Sequence, residues 1–207
     1  MSKPSGANLN NTQNPQKAKL SGRKVLLILA VVFLLPFTTA ALLHLLDLKP
    51  EGKSYGDLIQ PPKNLQFPLL KDVQGKSFES QHWLKKWSVV MVDSTNCAAP
   101  CQAKAQLLKQ VHTSLNKEIK RVQRVLLVPI DADAKALSDL QKKYPDLIIL
   151  AGPDAETVKF AAEFNITGGQ VYLVDPLGNL MMSYSEKMDP KGLRSDLTRL
   201  LKNSWAG

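Results

Sequence analysis

Residues 87–101 read Trp87-Ser-Val-Val-Met-Val-Asp-Ser-Thr-Asn-Cys97-Ala-Ala-Pro-Cys101, and the fold turns on how they are read. Ser88 to Val92 is a short, continuous, β-branched-rich run, apolar on both faces, as in a strand covered on both sides. Past Cys101, residues Ala103, Leu107, Val111, Leu115 and Ile119 recur at steps of four, with Lys104, Lys109, Gln110 and Lys117 opposite. That spacing predicts an amphipathic helix. Both cysteines of the chain therefore fall where a buried strand hands over to a helix.

The same alternation continues toward the C-terminus. Val125 to Val128, Leu147 to Leu150 and Val171 to Val174 are further short apolar runs. Between them Leu137, Leu140 and Tyr144 mark one helix, and a second is expected over Asp154 to Phe164. The last helix opens with Asp189 as cap and Pro190 at the first position, ahead of Leu193, Leu197, Leu200 and Leu201. Asp175-Pro-Leu-Gly-Asn179 is a turn signal between Tyr172-Leu173-Val174 and Leu180-Met181-Met182, so the sheet should end in an antiparallel hairpin. Strands alternating with helices give an α/β class, with crossover connections. Met181 and Met182 alternate in the hairpin and read as one surface and one core side chain, and Trp83 and Trp87 read as packing residues.

Upstream lie a linker and an apolar segment. Leu48 to Lys63, LKPEGKSYGDLIQPPK, is rich in Pro and Gly and reads as an irregular arm. Residues 25–46 form a 22-residue run without a charge, VLLILAVVFLLPFTTAALLHLL, long enough to cross a hydrocarbon core of about 30 Å. It reads as one transmembrane helix, with Pro36 tolerated in lipid. The competing reading is a cleaved signal peptide with Thr38-Thr39-Ala40 at the cleavage site. Residues 1–24 carry five basic residues and no acid, which puts the N-terminus on the cytoplasmic side and the rest beyond the membrane. Poor in large apolar side chains, this tail is expected to be disordered. It carries one arginine, Arg23, and so does not resemble a mitochondrial transit peptide. A bacterial inner membrane with a periplasmic domain is the expected location. The expected organisation is a tail over 1–24, a transmembrane helix over 25–46, a linker over 47–63 and an extracytoplasmic domain over 64–207.

Composition limits the function classes. The 207 residues hold 27 Lys+Arg against 18 Asp+Glu and are 44% hydrophobic, near the globular average. A wholly disordered chain, a collagen-like repeat and a disulfide-dense miniprotein are thereby disfavoured. Five of the excess positive charges sit in the tail, and what remains makes no nucleic-acid-binding stripe.

The chemistry rests on Cys97 and Cys101. Pro100 favours a helix start, which leaves Cys97 in the loop and Cys101 in the first turn. A helix N-terminus favours the thiolate through its dipole and unpaired amides. Such a pair can form and break a disulfide, bind a soft metal such as Cu(I), or make a fixed structural bridge. Asp93 reads as a strand-end carboxylate facing solvent, His112 as a surface histidine, His44 as an interfacial residue, and His82 has no assigned place. Asn165-Ile-Thr167 matches a glycosylation acceptor by chance.

An apolar anchor, Leu65-Gln-Phe-Pro-Leu-Leu-Lys-Asp-Val-Gln-Gly-Lys-Ser-Phe78, the Trp87 strand, C-x3-C and Tyr172-Leu-Val-Asp-Pro-Leu-Gly178 together resemble the Sco/SenC family of thioredoxin-like proteins. The resemblance covers roughly residues 64 to 202. It implies a thioredoxin-like domain, a central sheet with helices on both faces, in a membrane-anchored chaperone. Such a chaperone binds copper through two cysteines and a histidine and helps assemble the copper centre of cytochrome c oxidase. Cys97 and Cys101 would then be the sulfur ligands, and oxidase subunits or other assembly factors the partners. The chain departs from the family at Asn165-Ile-Thr-Gly-Gly-Gln-Val171, where the family's histidine is expected and none is present. Gly168-Gly169 likewise offers no proline of the kind that faces the cysteines in thioredoxin-like oxidoreductases. A thiol-disulfide oxidoreductase, with Cys97 attacking as the more exposed thiol and Cys101 resolving, and a non-catalytic membrane scaffold are the alternatives.

Overall fold

The computed structural model describes residues 21–45, 54–94, 97–164 and 170–204. The chain divides into two units, 1–52 and 53–207. In the first, helix α1 runs from Gly22 to Leu45 through Pro36. Pro36 does not break it, as lipid-embedded helices tolerate proline, and Thr39 Oγ1 donates to the carbonyls of Leu35 (2.7 Å) and Pro36 (3.0 Å). The helix is long and apolar enough to cross a membrane.

The second unit is a six-stranded mixed sheet. Its strands are β1 Asp57–Asn64, β4 Trp87–Val92, β5 Val122–Val128, β6 Leu147–Ala151, β7 Val171–Val174 and β8 Asn179–Tyr184, in the order β1-β8-β7-β4-β5-β6. A small hairpin of β2 Leu70–Lys71 and β3 Ser77–Phe78 precedes them, with the short helix α2 Ser80–Trp83. Strands β4, β5 and β6 are parallel, as crossover helices α3 Ala99–Thr113 and α4 Ala134–Lys143 require; β7, β8 and β1 follow antiparallel. The remaining helices are α5 Ala155–Ala162 and α6 Pro190–Asn203.

Every residue of β4, β5 and β7 is buried, because the sheet is covered on both faces. One face packs Val89, Met91 and Leu126 under Ala105 and Leu108 of α3, Leu137 and Leu140 of α4, and Leu193 and Leu197 of α6. The other packs Val90, Val125 and Tyr172 against an aromatic cluster. There Trp83 lies 5.0 Å from Phe67 and 5.2 Å from Phe160, ring centre to ring centre, distances typical of favourable aromatic pairs. Trp83 and Trp87 are core residues, as read from the sequence.

The β7–β8 hairpin forms where expected. Asp175 Oδ1 accepts from the amides of Leu177 (2.9 Å) and Asn179 (2.8 Å), and Gly178 takes φ +91°, open to a residue without Cβ. Met182 points into the core and Met181 lies half-buried.

Three expectations change. The arm over 47–63 is from Asp57 onward an edge strand; its Pro61 and Pro62 are tolerated because it pairs on one side only, with β8, and with an interrupted register. Helix α3 stops at Thr113, and its buried stripe is Cys101, Ala105, Leu108, Val111 and His112, sharing only Val111 with the Ala103 series. Leu115 and Ile119 follow in the turn and 3-10 segment after it, and Ala103 is exposed. Thirdly, β5 begins at Val122, so Gln123 and Arg124 lie within a buried strand.

A buried carboxylate fixes where the second unit begins. Asp196 Oδ2 on α6 accepts from the amides of Tyr55 (2.8 Å) and Gly56 (3.0 Å) and from the Tyr184 hydroxyl (3.0 Å). Burial, with the Asp196 charge beside it, pushes the Tyr184 phenol well above its ordinary value. Gly56 and Gly192 let this junction close: a Cβ at either would stand 2.6 Å from the rings of Tyr184 and Tyr55 respectively.

Candidate functional site: the cysteine pair at the head of α3

Strand β4 delivers the site. Past Val92 the Asp93 amide still donates to Leu127 of β5 (3.0 Å), which carries the strand direction to the mouth of the loop. Helix α3 starts at Ala99 with Pro100 next, and Cys101 occupies its first turn as expected. Cys97 lies in the loop with φ +47°, a left-handed conformation unusual for a side chain with a Cβ. This turn folds Cys97 back onto Cys101: the Cα atoms are 4.8 Å apart and the two are joined as a disulfide.

Both cysteines are buried, at 3% and 4% exposure. Exposure therefore does not single out Cys97 as the attacking thiol; the strand and the inward stripe of α3 draw both sulfurs into the core layer that also holds Met91, Val171 and Met182.

Asp93 is likewise buried, at 5% exposure, and not solvent-facing. Its Oδ1 accepts from the Cys97 amide at 3.3 Å, so the carboxylate is turned back under the loop. Gln102 donates to the Cys97 carbonyl at 3.3 Å from the other side. Lys104, one turn beyond Cys101, has its pKa lowered by burial, against the opposing pull of Glu186 and Asp93. The first turn of α3 has no acidic residue, so the positive end of the helix dipole is left for a thiolate.

His82 and His112 do not join the sulfurs. His112, expected on the surface, is buried because α3 turns that side toward β5. Its Nε2–H donates to the carbonyls of Ile119 (3.0 Å) and Val122 (2.9 Å), which can only accept, and its Nδ1 faces Asp146 at 3.5 Å. His82 caps α2, its Nδ1 accepting from the Glu79 amide at 2.9 Å while its ring stacks on Phe78. His44 lies in α1, in the other unit. Among the described residues no group of three His, Cys, Asp or Glu could hold a metal. The stretch 165–169, containing the glycosylation match and Gly168-Gly169, lies outside the described residues.

The donor set here is thus two sulfurs on a loop and a helix start, with a buried carboxylate behind the loop. Two thiolates suit Cu(I), which accepts low coordination by soft ligands. The same two sulfurs, already at bonding distance, suit reversible disulfide chemistry.

A family model described as transmembrane-like, thioredoxin-like, C-terminal domain matches residues 87–204. The chain belongs to this family. The match starts at the first residue of β4 and ends just beyond α6, so this thioredoxin-like domain includes the C-x3-C pair and the whole sheet except β1. No curated protein matches the sequence. Solved structures share the fold. Yeast Sco1 with copper bound is 20% identical over 70% of this chain and 96% of that one, with TM-score 0.59. Apo Sco1 from Thermus thermophilus is 21% identical over 74% and 98%, with TM-score 0.57. BsSco, a member of the Sco family of cytochrome c oxidase assembly proteins with a disulfide switch, is 17% identical over 72% and 98%, with TM-score 0.56. The thioredoxin-like α/β fold and the likeness to Sco proteins expected from the sequence are borne out at the level of fold.

Proposed function

We propose that this protein is a membrane-anchored, Sco-like accessory factor for cytochrome c oxidase assembly, working through a reversible Cys97–Cys101 pair. The observation that carries this reading is the position of the pair: closed at 4.8 Å between Cα atoms, at the head of a helix, on a Sco-like sheet. In this reading α1 anchors the chain in a bacterial inner membrane and the thioredoxin-like domain faces the periplasm. Oxidase subunits or other assembly factors are the partners.

The pair has two uses on the way to a copper centre. As a dithiol it exchanges with a client disulfide: one thiolate attacks, a client sulfur leaves as thiolate, and the second cysteine closes on the mixed disulfide. Two electrons pass to the client and the Cys97–Cys101 bond forms. A dithiol donor in the same compartment restores it by the reverse chemistry. The reduced pair also holds Cu(I) as cargo, through two sulfurs. Exchange is favoured by the lack of a three-ligand group among the described residues, and cargo binding by the softness of the sulfurs.

Anaerobic competition of the reduced full chain against a chromophoric Cu(I) chelator separates the two. One-to-one binding lost in Cys97→Ser establishes copper cargo; no competition removes that use and leaves exchange. Oxidase in cells carrying Cys97→Ser is expected to lose most of its copper, and unchanged oxidase copper would overturn the assembly role.

A further inference from the structure

The outer face of α6 is a basic stripe with no part in the cysteine chemistry. Lys191, Arg194, Thr198 and Lys202 follow at helical spacing, all exposed, with Arg199 beside them. The stripe covers about 16 Å at 1.5 Å per residue. Of the acids of the helix, Asp189 is the N-cap, and Asp196 is turned inward to Tyr55, Gly56 and Tyr184, its second oxygen meeting only Arg199 of the stripe, at 3.3 Å.

Beside this stripe stands Tyr55, packed on Gly192 and 64% exposed. Two features thus meet on one surface, a row of cations and a half-free aromatic with a polar tip. Together they suit a lipid headgroup layer, which takes cations at its phosphates and tyrosine at its boundary.

Chain connectivity points to the same occupant. Nine residues lie between Leu45, where α1 ends, and Tyr55. Fully extended they reach at most about 35 Å. With α1 in a bilayer, Tyr55 can never leave the neighbourhood of that bilayer, and the stripe meets its surface at high effective concentration.

We propose that the Lys191–Lys202 face of α6, with Tyr55, is a docking surface for anionic lipid headgroups that holds the domain against the membrane bearing its own anchor. The inference rests on reading α1 as that anchor. Docking through this one helix makes the domain's orientation over the bilayer dependent on lipid charge.

The test uses the full chain in nanodiscs of phosphatidylcholine alone or with one third phosphatidylglycerol, with amine acylation followed by mass spectrometry. Lys191 and Lys202 should react at least about threefold more slowly in the anionic discs, with Lys117 and Lys142 unchanged as exposed references. High salt or the Arg194→Glu, Thr198→Glu double variant should restore the rates. Co-elution with neutral discs reads the anchor separately: its loss overturns the anchoring reading and this inference together. Co-elution with equal rates in both discs overturns the docking surface alone, and is the result expected if the stripe serves an acidic protein instead.

Discussion

Asp146, between α4 and β6, collects two cations and a histidine. Arg124 Nη2 lies 2.8 Å from its Oδ1, Lys109 Nζ 3.3 Å from the same oxygen, and His112 Nδ1 3.5 Å from Oδ2. Arg124 is only 1% exposed, in the middle of a buried strand, and Asp146 is its counter-ion. Partial burial would raise the Asp146 pKa, but hydrogen bonds and charge from Arg124, with help from Lys109, outweigh it and hold the carboxyl at about 2. A folded pKa below the unfolded value stabilises the fold above about pH 4, and that contribution is lost as pH falls toward 2. Asp146→Asn should cost about 2 kcal/mol at pH 7, less than a fully buried pair because the Asp146 side chain is 42% exposed. Denaturant midpoints of wild type and variant should converge between pH 4 and 2; a constant gap across that range would contradict the assignment. The sequence held a signal for this pair that a reading of apolar runs passes over. Arg124 directly precedes the run Val125 to Val128, and a charge entering a buried strand requires a partner. Asp93 and His112 had no such signal, since their burial follows from how the loop and α3 turn against the sheet.

At the scale of elements, strands buried on both faces were legible because their apolar runs are uninterrupted, and the β7–β8 hairpin because Asp175 and Gly178 are residues its turn demands. Strand β1 was not legible: its residues are mostly exposed and two are prolines, and its pairing is supplied by β8. The boundary of α3 is not legible in the apolar spacing because Leu115 and Ile119 are only approximately in phase with the helix, while its buried stripe begins at Cys101. The hairpin turn offers a clean test. Gly178 combines φ +91° with a Phe67 ring atom 2.7 Å from where a Cβ would stand, whereas Gly75 has φ +79° and open space. Gly75→Ala should therefore cost about 1 kcal/mol from the backbone alone. Gly178→Ala should cost about 1 kcal/mol more as Phe67 is displaced from the aromatic cluster. Equal midpoint shifts in chemical denaturation would show that Phe67 yields freely.

For the molecule as a whole, the class of the domain and the place of the cysteines were readable from strand, loop and helix in succession, while a complete ligand set was not. A metal site is assembled from distant segments, and two histidines are committed elsewhere, His82 to a helix cap and His112 to two backbone carbonyls. What remains is a pair separated by four positions. A bridge closing so short a loop gains about 2 kcal/mol by chain entropy, less than one that closes a long loop. In the proposed function the value of the pair lies in its being opened. The most direct test is the reduction potential of Cys97–Cys101 in the full chain, read by equilibration in thiol–disulfide buffers and alkylation of the freed thiols. A reversible working pair is predicted to lie above about −300 mV. A value well below that, with the bond intact in every buffer, would make it a fixed bridge and contradict the account.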